Sequence, residues 1–340
     1  MTYSQILENA EINIGPNCKV CPVCNGLGCG NIIPGPGSKA PGNGANDNYT
    51  AWRKYSIELD TLVPSMTVDT SVKFLGVDCS LPLIAAPIGD LSTQFNHKDD
   101  IREYNDDVMN ACASEKIIGT FGDGLSKDTL PSGLKSALKY SAAAIPVLNP
   151  LSNDEIKANI DIIKEYQCPA LCIVIDSAGL PHLRKSNSNA GVKSVDDLRM
   201  LKEYAGMPFI VKGVLNAKVA EKAIDAGADV IIVSNHGGRV LPYAPATADV
   251  LPEIADAVCG RAKIIVDGGI RSGADIFKAL ALGADMVMIC RPFLISWYGG
   301  KVEGVKLLID KLRDELSDVM YMSGAADIKS INREMLRKTI

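Results

Sequence analysis

The residues best suited to chemistry lie in one short segment, Ser234–Arg239, with the sequence SNHGGR. A histidine such as His236 can accept a proton near neutral pH. An arginine such as Arg239 can hold a carboxylate through two parallel hydrogen bonds. Gly237 and Gly238 between them allow the backbone to turn sharply and to approach a flat ligand closely. The chain has three histidines, and this one follows an apolar run directly, which favours a catalytic role over that of a buried structural histidine.

A second group of residues has the chemistry of a phosphate site. Two apolar runs end at Asp267 and at Cys290, and a glycine-rich turn or an arginine follows each. Backbone N–H groups at the start of a helix bind phosphate, and arginines add charge to the same site. The alternative is an ordinary glycine-rich turn. The predicted phosphate site comprises Asp267, Gly268, Gly269, Arg271, Cys290 and Arg291.

Lys212 also ends an apolar run, FIVK. A lysine at the end of a buried strand can point into the site and stabilise a negative charge on a bound ligand. The alternative is a structural lysine whose stem is buried while its amine reaches water.

The elements that must position these residues repeat along the chain. Eight apolar runs are rich in Val, Ile and Ala without strict alternation, as strands covered on both faces should be. The runs are Leu81–Pro87, Lys116–Phe121, Ala143–Leu148, Ala170–Asp176, Pro208–Gly213, Asp229–Asn235, Ala262–Gly268 and Asp285–Arg291. Amphipathic helices are predicted between them, among them Asp154–Tyr166, Ser194–Tyr204, Ala217–Ala226 and Gly273–Leu282.

Eight such units predict an α/β fold, a TIM (β/α)₈ barrel, in which active sites lie at the carboxyl ends of the strands. A helical tail, Val302–Ile340, is expected after the last strand. We predict two regions: an N-terminal Cys/Gly-rich extension over residues 1–60 that packs on the barrel mouth, and the barrel itself over residues 61–340.

Four cysteines are clustered in the extension: Cys18, Cys21, Cys24 and Cys29. Their spacing suits thiolate ligation of an iron–sulfur cluster or zinc. The alternative is a reduced or redox-active structural loop, since disulfides are disfavoured in the cytosol.

Composition excludes some classes of function. The formal net charge is −5, so no basic face for nucleic acid is expected. No apolar run approaches the roughly 18–20 residues that span a bilayer. The first residues lack the basic and apolar regions of a secretory signal. We therefore expect a cytoplasmic protein with no nucleic-acid or membrane partner.

Four segments carry a resemblance to a known family: IAAPIG, FIVKGVL, VSNHGGRVL and IIVDGGIRSGADIFKALALGADMVMICRPFL. They resemble the FMN-dependent α-hydroxy-acid dehydrogenase/oxidase family, which includes glycolate and lactate oxidases, and the similarity runs from about Asp60 to the tail. SNHGGR is highly specific, whereas the Asp-Gly-Gly-Ile-Arg segment is shared with other FMN barrels. The Cys-Pro-Val-Cys-Asn-Gly segment is similar to the N-terminal extension of anaerobe members.

The resemblance implies a role for each matching residue. His236 would be the base that removes the substrate hydroxyl proton, Arg239 would bind the substrate carboxylate, and the α-hydrogen would pass to flavin N5. Lys212 would lie near flavin N1. The other FMN contacts implied are Pro87 and Ile88 at the ring, Thr120 and Asn149 at its polar edge, Ser234 and Gly237 beside it, and the predicted phosphate site.

This sequence departs from the family pattern on the substrate side. Leu151 stands where the family usually has a tyrosine, and Val174 stands where it has a threonine. The second substrate-binding arginine is approximated only by Arg184 or His182. The residues that bind flavin are therefore kept, while those that contact the substrate differ. The expected substrate is a 2-hydroxy acid or a related alcohol.

Two other functions remain open on these residues. One is an FMN barrel of the type-2 isopentenyl-diphosphate isomerase kind, which lacks the His–Gly–Gly–Arg pairing. The other is a flavin- or metal-sensing regulatory protein that uses the cysteines. The family resemblance also implies a small-molecule substrate, an electron acceptor that the sequence does not identify, and a homo-oligomer, a tetramer.

Overall fold

The computed structural model describes residues 1–33, 35–95, 100–124 and 126–339, with only the backbone of Pro181 and His182. It contains twelve strands in this part of the chain. They are β1 (Tyr55–Ile57), β2 (Val72–Phe74), β3 (Val77–Cys79), β4 (Leu83–Ala85), β5 (Gly119–Gly122), β6 (Ala144–Leu148), β7 (Leu171–Val174), β8 (Phe209–Val214), β9 (Val230–Val233), β10 (Lys263–Val266), β11 (Met286–Ile289) and β12 (Leu336–Lys338).

Strands β4 to β11 form one parallel sheet in the order β4-β11-β10-β9-β8-β7-β6-β5. A parallel bridge between Ile84 and Ile118 joins the two edges, so the sheet closes. The predicted TIM barrel is confirmed, and each of its eight strands lies within one of the predicted apolar runs or one residue beyond it.

Both faces of the barrel strands are buried, which explains their continuous hydrophobicity. In β9, Val230 and Ile232 pack in one apolar cluster with residues from the other barrel strands. Ile231 and Val233 pack in a second, larger cluster that includes the surrounding helices. Alternate side chains along one strand thus fill two different cores, and neither face needs polar residues.

Eleven α-helices surround or extend the barrel within the described residues. They are α1 (Tyr3–Asn13), α2 (Gly44–Ala51), α3 (Ile101–Glu115), α4 (Thr129–Tyr140), α5 (Asn153–Lys164), α6 (Pro181–Ser186), α7 (Val195–Ala205), α8 (Ala217–Asp225), α9 (Thr247–Val258), α10 (Gly273–Ala281) and α11 (Arg291–Met322).

The four predicted helices α5, α7, α8 and α10 are present, and their ends follow local rules. Ser194 caps α7 in a reciprocal capping box with Asp197, which satisfies free N–H groups of the first turn. Gly227 and Gly283, just past α8 and α10, have φ of 90° and 111°. Such left-handed backbone favours glycine and lets each helix end before the next strand.

The predicted C-terminal helical tail is confirmed, but its bounds differ from Val302–Ile340. Helix α11 begins earlier, at Arg291, is broken by non-helical backbone at Gly300 and Lys301, and ends at Met322. Near the end of the chain, β12 pairs antiparallel with β1 from the N-terminal region. A three-residue strand whose partner lies about 280 positions away leaves no periodic signal in the sequence.

Two helices of the N-terminal extension, α1 and α2, were not predicted either. Helix α1 packs against α11, where Asn9 Nδ2 donates to the Gly299 carbonyl at 3.1 Å. None of the helices in the described part of the chain is long and apolar enough to cross a membrane.

Candidate active site

A cavity of about 180 Å³ opens at the carboxyl ends of the barrel strands. Of the fifteen residues predicted for catalysis and FMN binding, thirteen line it. They are Pro87, Ile88, Asn149, Lys212, His236, Gly237, Arg239, Asp267, Gly268, Gly269, Arg271, Cys290 and Arg291. The fold therefore brings together residues that are more than 200 positions apart in the chain.

His236 follows β9 in a tight turn and is held by a carboxylate. Its Nδ1 lies 3.0 Å from Oδ1 of Asp176, which follows β7. An ionised Asp176 accepts a hydrogen bond from Nδ1–H, and this leaves Nε2 as the proton acceptor of the ring. Asp176 was noted in the sequence only as the end of a strand. Its pairing with His236 was missed because it depends on tertiary structure.

Lys212 is the centre of a buried polar network. Its Nζ donates to Ser234 Oγ at 2.6 Å and pairs with Asp267 Oδ2 at 2.8 Å. Burial alone would lower the pKa of Lys212, but attraction by Asp267 and Asp176 outweighs it and raises the pKa. Lys212 therefore carries a fixed positive charge on the cavity wall. Ser234 does not line the cavity itself but accepts a hydrogen bond from the His236 N–H at 3.1 Å, so it links the lysine to the turn that carries His236.

Arg239 and Arg291 are half-buried and bring positive charge to the cavity. The structure shows no ion pair between either guanidinium and an acidic side chain among the residues it describes. Arg239 Nη2 donates to Gln94 Oε1 at 2.7 Å, while its Nε is buried with no partner in the described residues. Burial and the neighbouring Arg291 lower the pKa of Arg239 to about 10. These contacts fit a cavity that binds anions.

The glycine-rich turn after β10 is held closely by the N-terminal segment. Gly269 has φ of 78°, and an added Cβ there would meet the Asn48 carbonyl at 2.3 Å. Trp52 Nε1 donates to the Gly268 carbonyl at 2.8 Å. Asn48 and Asn235 exchange two side-chain hydrogen bonds of 2.7 and 2.9 Å, so α2 supports both loops of the site.

Thr120, one of the two predicted site residues outside the cavity lining, lies within β5. It is 2% exposed, and its hydroxyl donates to the Ala85 carbonyl at 2.6 Å. Strand β5 continues to Gly122, and the polar residue after it is Asp123. Asp123 accepts from both the backbone N–H and the side-chain amide of Asn149 at 3.0 and 2.6 Å, and burial raises its pKa to about 6.

Arg184 and His182 were the two candidates for a second cation on the substrate side of the cavity. The residues that line this side are more apolar. Leu183 lines the cavity, whereas the neighbouring Arg184 is exposed and does not. The side chain of His182 lies outside the described residues. Val174 also lines the cavity, and Leu151 packs against the apolar cluster that contains Leu183.

The four clustered cysteines line a second, smaller cavity beside the first. All four are free thiols, and burial raises the pKa of Cys18 to about 11. The part of the chain that the structure describes contains no group of three or more His, Cys, Asp or Glu side chains placed to hold a metal ion. In the described residues, the side chains of these four cysteines are therefore not arranged as a ligand group for a metal ion.

Comparisons with known proteins agree with this geometry. The sequence profile of the FMN-dependent dehydrogenase family matches residues 37–194 and 182–338. An L-lactate oxidase of Lactobacillus jensenii is 49% identical over 236 residues, which cover 69% of this chain and 53% of that protein; this chain thus spans about half the length of that relative. Glycolate oxidase 3 of Arabidopsis thaliana is 43% identical over 333 residues, covering 87% of this chain and 89% of the relative.

Solved structures share the fold. A lactate oxidase from Pediococcus acidilactici superposes with a TM-score of 0.80 at 25% identity, covering 100% of this chain and 95% of the other. A mandelate oxidase variant superposes with a TM-score of 0.81 at 24% identity, covering 100% and 99%, and supports the fold alone. Because the family profile extends over most of the barrel and a relative matches along most of both chains, this protein belongs to the FMN-dependent dehydrogenase family.

Proposed function

We propose that this protein is an oxidoreductase that uses FMN to oxidise a 2-hydroxy acid to the 2-oxo acid. The observation that carries the proposal is His236, which lies 3.0 Å from Asp176 and lines the same cavity as Arg239. One group accepts a proton and the other binds a carboxylate, which are the two functions that a 2-hydroxy acid requires. The printed names of the relatives, an L-lactate oxidase and a glycolate oxidase, support this class of substrate.

The residues present fit FMN. The phosphate of FMN needs cations and backbone N–H groups. The cavity is lined by Arg271, by Arg291 and by the turn of Gly268 and Gly269. The ring of FMN accumulates negative charge on reduction, and the buried charge of Lys212 suits that edge. The orphaned Oδ1 of Asp267 is an acceptor available to a hydroxyl of the ribityl chain. Bound FMN supplies the acceptor for the α-hydrogen of the substrate.

The protein groups have separate tasks in the reaction. Arg239 binds the substrate carboxylate and orients the hydroxyl group. His236 takes the hydroxyl proton on Nε2, and Asp176 stabilises the imidazolium that results. Asp176 does not contact the substrate in this scheme, so it is a positioning residue. Since the alternatives, an isomerase or a regulatory protein, do not require this set, the geometry favours the oxidoreductase.

The test is anaerobic mixing of the holoenzyme with L-lactate, glycolate or mandelate while the flavin absorption is followed. The wild type should bleach with at least one of them. His236→Ala should keep its FMN, because the residue is not part of the phosphate site, and should reduce it 10²–10⁴-fold more slowly. Reduction of His236→Ala at the wild-type rate would remove the histidine from the role of base, and a purified protein that takes up no FMN would refute the proposal as a whole.

The family resemblance also supports a homo-oligomer, a tetramer, and the lack of a secretory signal in the first residues supports a cytoplasmic location. Light scattering of the purified holoenzyme should give four times the chain mass of 36.2 kDa. A monomer at micromolar concentration would refute this part of the proposal without touching the chemistry.

A further inference from the structure

Gln94 follows β4 and lines the active-site cavity together with Arg239. Its side-chain oxygen Oε1 accepts a hydrogen bond from Arg239 Nη2 at 2.7 Å, and its Nε2 donates to the Asp90 carbonyl at 3.0 Å. The bond from Nε2 sets the orientation of the amide, so that its oxygen and not its NH₂ group faces the guanidinium. Gln94 is 8% exposed, so the contact with Arg239 is shielded from solvent.

The loop that carries Gln94 is held from two sides. The backbone N–H groups of Gln94 and Phe95 donate to the Leu91 carbonyl at 3.1 and 2.8 Å. The Gln94 carbonyl accepts from Asn17 Nδ2 of the N-terminal extension at 3.0 Å. Because both its backbone and its side chain are bonded, Gln94 presents a fixed acceptor to Arg239.

The same loop contains a carboxylate, but the oxygens of that carboxylate bond within the loop. Asp90 Oδ1 accepts from Ser92 Oγ, and its Oδ2 accepts from the Thr93 N–H, both at 2.8 Å. Arg239 is thus met by a neutral amide, which takes one of its five N–H donors without cancelling its charge. Its Nε has no partner in the described residues. Positive charge and a free donor are therefore available to a substrate carboxylate.

We propose that Gln94 is a positioning residue that orients Arg239 toward the substrate carboxylate and leaves its charge uncompensated. This rests on the proposed function, in which Arg239 binds that carboxylate. A glutamate in place of Gln94 would be ionised beside the guanidinium and would pair with it, so that it competes with the substrate for Arg239. A glutamine has nearly the same size and no charge, and so it orients the arginine without competing.

The experiment compares Gln94→Glu and Gln94→Leu with the wild-type holoenzyme in anaerobic flavin reduction by a 2-hydroxy acid. Gln94→Glu should raise the apparent dissociation constant of the substrate about 10- to 100-fold, the range of a lost charge-assisted hydrogen bond. Gln94→Leu removes the acceptor but adds no charge, and should raise the constant about 3- to 10-fold. Both variants should keep their FMN and a limiting rate of flavin reduction within about threefold of the wild type, because substrate and transition state lose the same contact.

A second measurement needs no turnover. Pyruvate has a carboxylate but no hydrogen on its α-carbon to transfer, and its binding to the oxidised holoenzyme can be followed through the flavin spectrum. Its affinity should fall in the order wild type, Gln94→Leu, Gln94→Glu. Gln167→Glu makes the same chemical change at an exposed position before β7, at the end of the barrel opposite the mouth, and should leave both dissociation constants unchanged.

The outcomes separate this proposal from the proposed function. A folded Gln94→Glu that binds substrate and pyruvate as tightly as the wild type would overturn the proposal, and so would equal losses in the two variants, since charge would then have no effect. Should Gln94→Glu not fold, a Gln94→Leu with constants within about twofold of the wild type would overturn it as well. Pyruvate binding in the expected order, in a holoenzyme that no 2-hydroxy acid reduces, would instead refute the proposed function alone.

Discussion

Asp176→Asn tests whether the carboxylate beside His236 contributes to the reaction or only fills space. The side chains are mostly shielded, with 22% of His236 and 11% of Asp176 exposed, so their interaction is stronger than that of a surface pair. The change keeps the size of the side chain but removes the charge that stabilises the imidazolium after proton transfer.

The magnitude follows from electrostatics. Charge centres about 4 Å apart interact by about 4 kcal/mol at an effective dielectric constant near 20. The asparagine retains a neutral hydrogen bond worth about 1 kcal/mol, so about 3 kcal/mol of transition-state stabilisation is lost. At 1.36 kcal/mol per factor of ten, the rate of flavin reduction should fall about 10²-fold, and more if the amide turns its NH₂ group to Nδ1 and places the ring proton on Nε2.

The assay is anaerobic stopped-flow reduction of bound FMN by the hydroxy acid. Asp176→Asn should keep its FMN, so that a slower reduction reports on proton transfer to His236 and not on lost cofactor. Asp314→Asn, at an exposed position on α11, provides the matched control and should behave as wild type. A variant that reduces flavin within threefold of the wild-type rate would refute the positioning role.

Three further changes test the surroundings of the site. Lys212→Met should lower the unfolding free energy by about 3 kcal/mol in chemical denaturation, because Asp267, whose side chain is 14% exposed, loses its cationic partner. A loss below about 1 kcal/mol would show that the network carries little stability. Gly273→Ala places a Cβ 2.1 Å from the backbone of α11 and should lower the unfolding free energy by about 1–3 kcal/mol. Gly191→Ala, whose added Cβ meets nothing within 4 Å, should change it by less than about 0.5 kcal/mol. Equal shifts in the melting temperatures of the two variants would contradict the packing argument. Burial raises the pKa of Asp123 from 3.8 to about 6, so the folded protein binds more protons in that window and loses stability as the pH rises through it. Asp123→Asn should remove about 3 kcal/mol of this pH dependence. If the unfolding free energies of variant and wild type change in parallel from pH 4 to pH 6, the prediction is refuted.

The barrel could be predicted because its sequence signals are local. Each strand is buried on both faces, as Val230 and Ile231 show by entering different clusters, and so each appears as a short continuous apolar run. Polar residues such as Lys212 and Asp267 then mark the strand ends. Because the carboxyl ends of all the strands meet at one mouth, the order along the chain was enough to bring most of the predicted site residues to one cavity.

The site residues that the sequence did not reveal depend on the residue at which a strand ends, on the face of a helix to which a side chain points, or on tertiary contacts. The predicted apolar run ended at Phe121, one residue before β5 ends, so Asp123 was not noted as the polar residue that follows this strand. On α6, successive residues are about 100° apart around the axis, so Leu183 faces the cavity while Arg184 faces solvent. The pairing of Asp176 with His236 joins two strands that are not neighbours in the sheet, and no sequence period reports such a contact.

The reciprocal amide pair of Asn48 and Asn235 has a consequence for where the protein can be cut. The sequence suggests a boundary near residue 60, yet α2 supports the catalytic turn, and β1 pairs with the last strand of the chain. We infer that a chain beginning at residue 61 would retain all eight barrel strands but not an ordered mouth. We therefore expect that the mouth of the barrel needs the extension for its order, and that a protease that removes the extension inactivates the enzyme before the barrel unfolds.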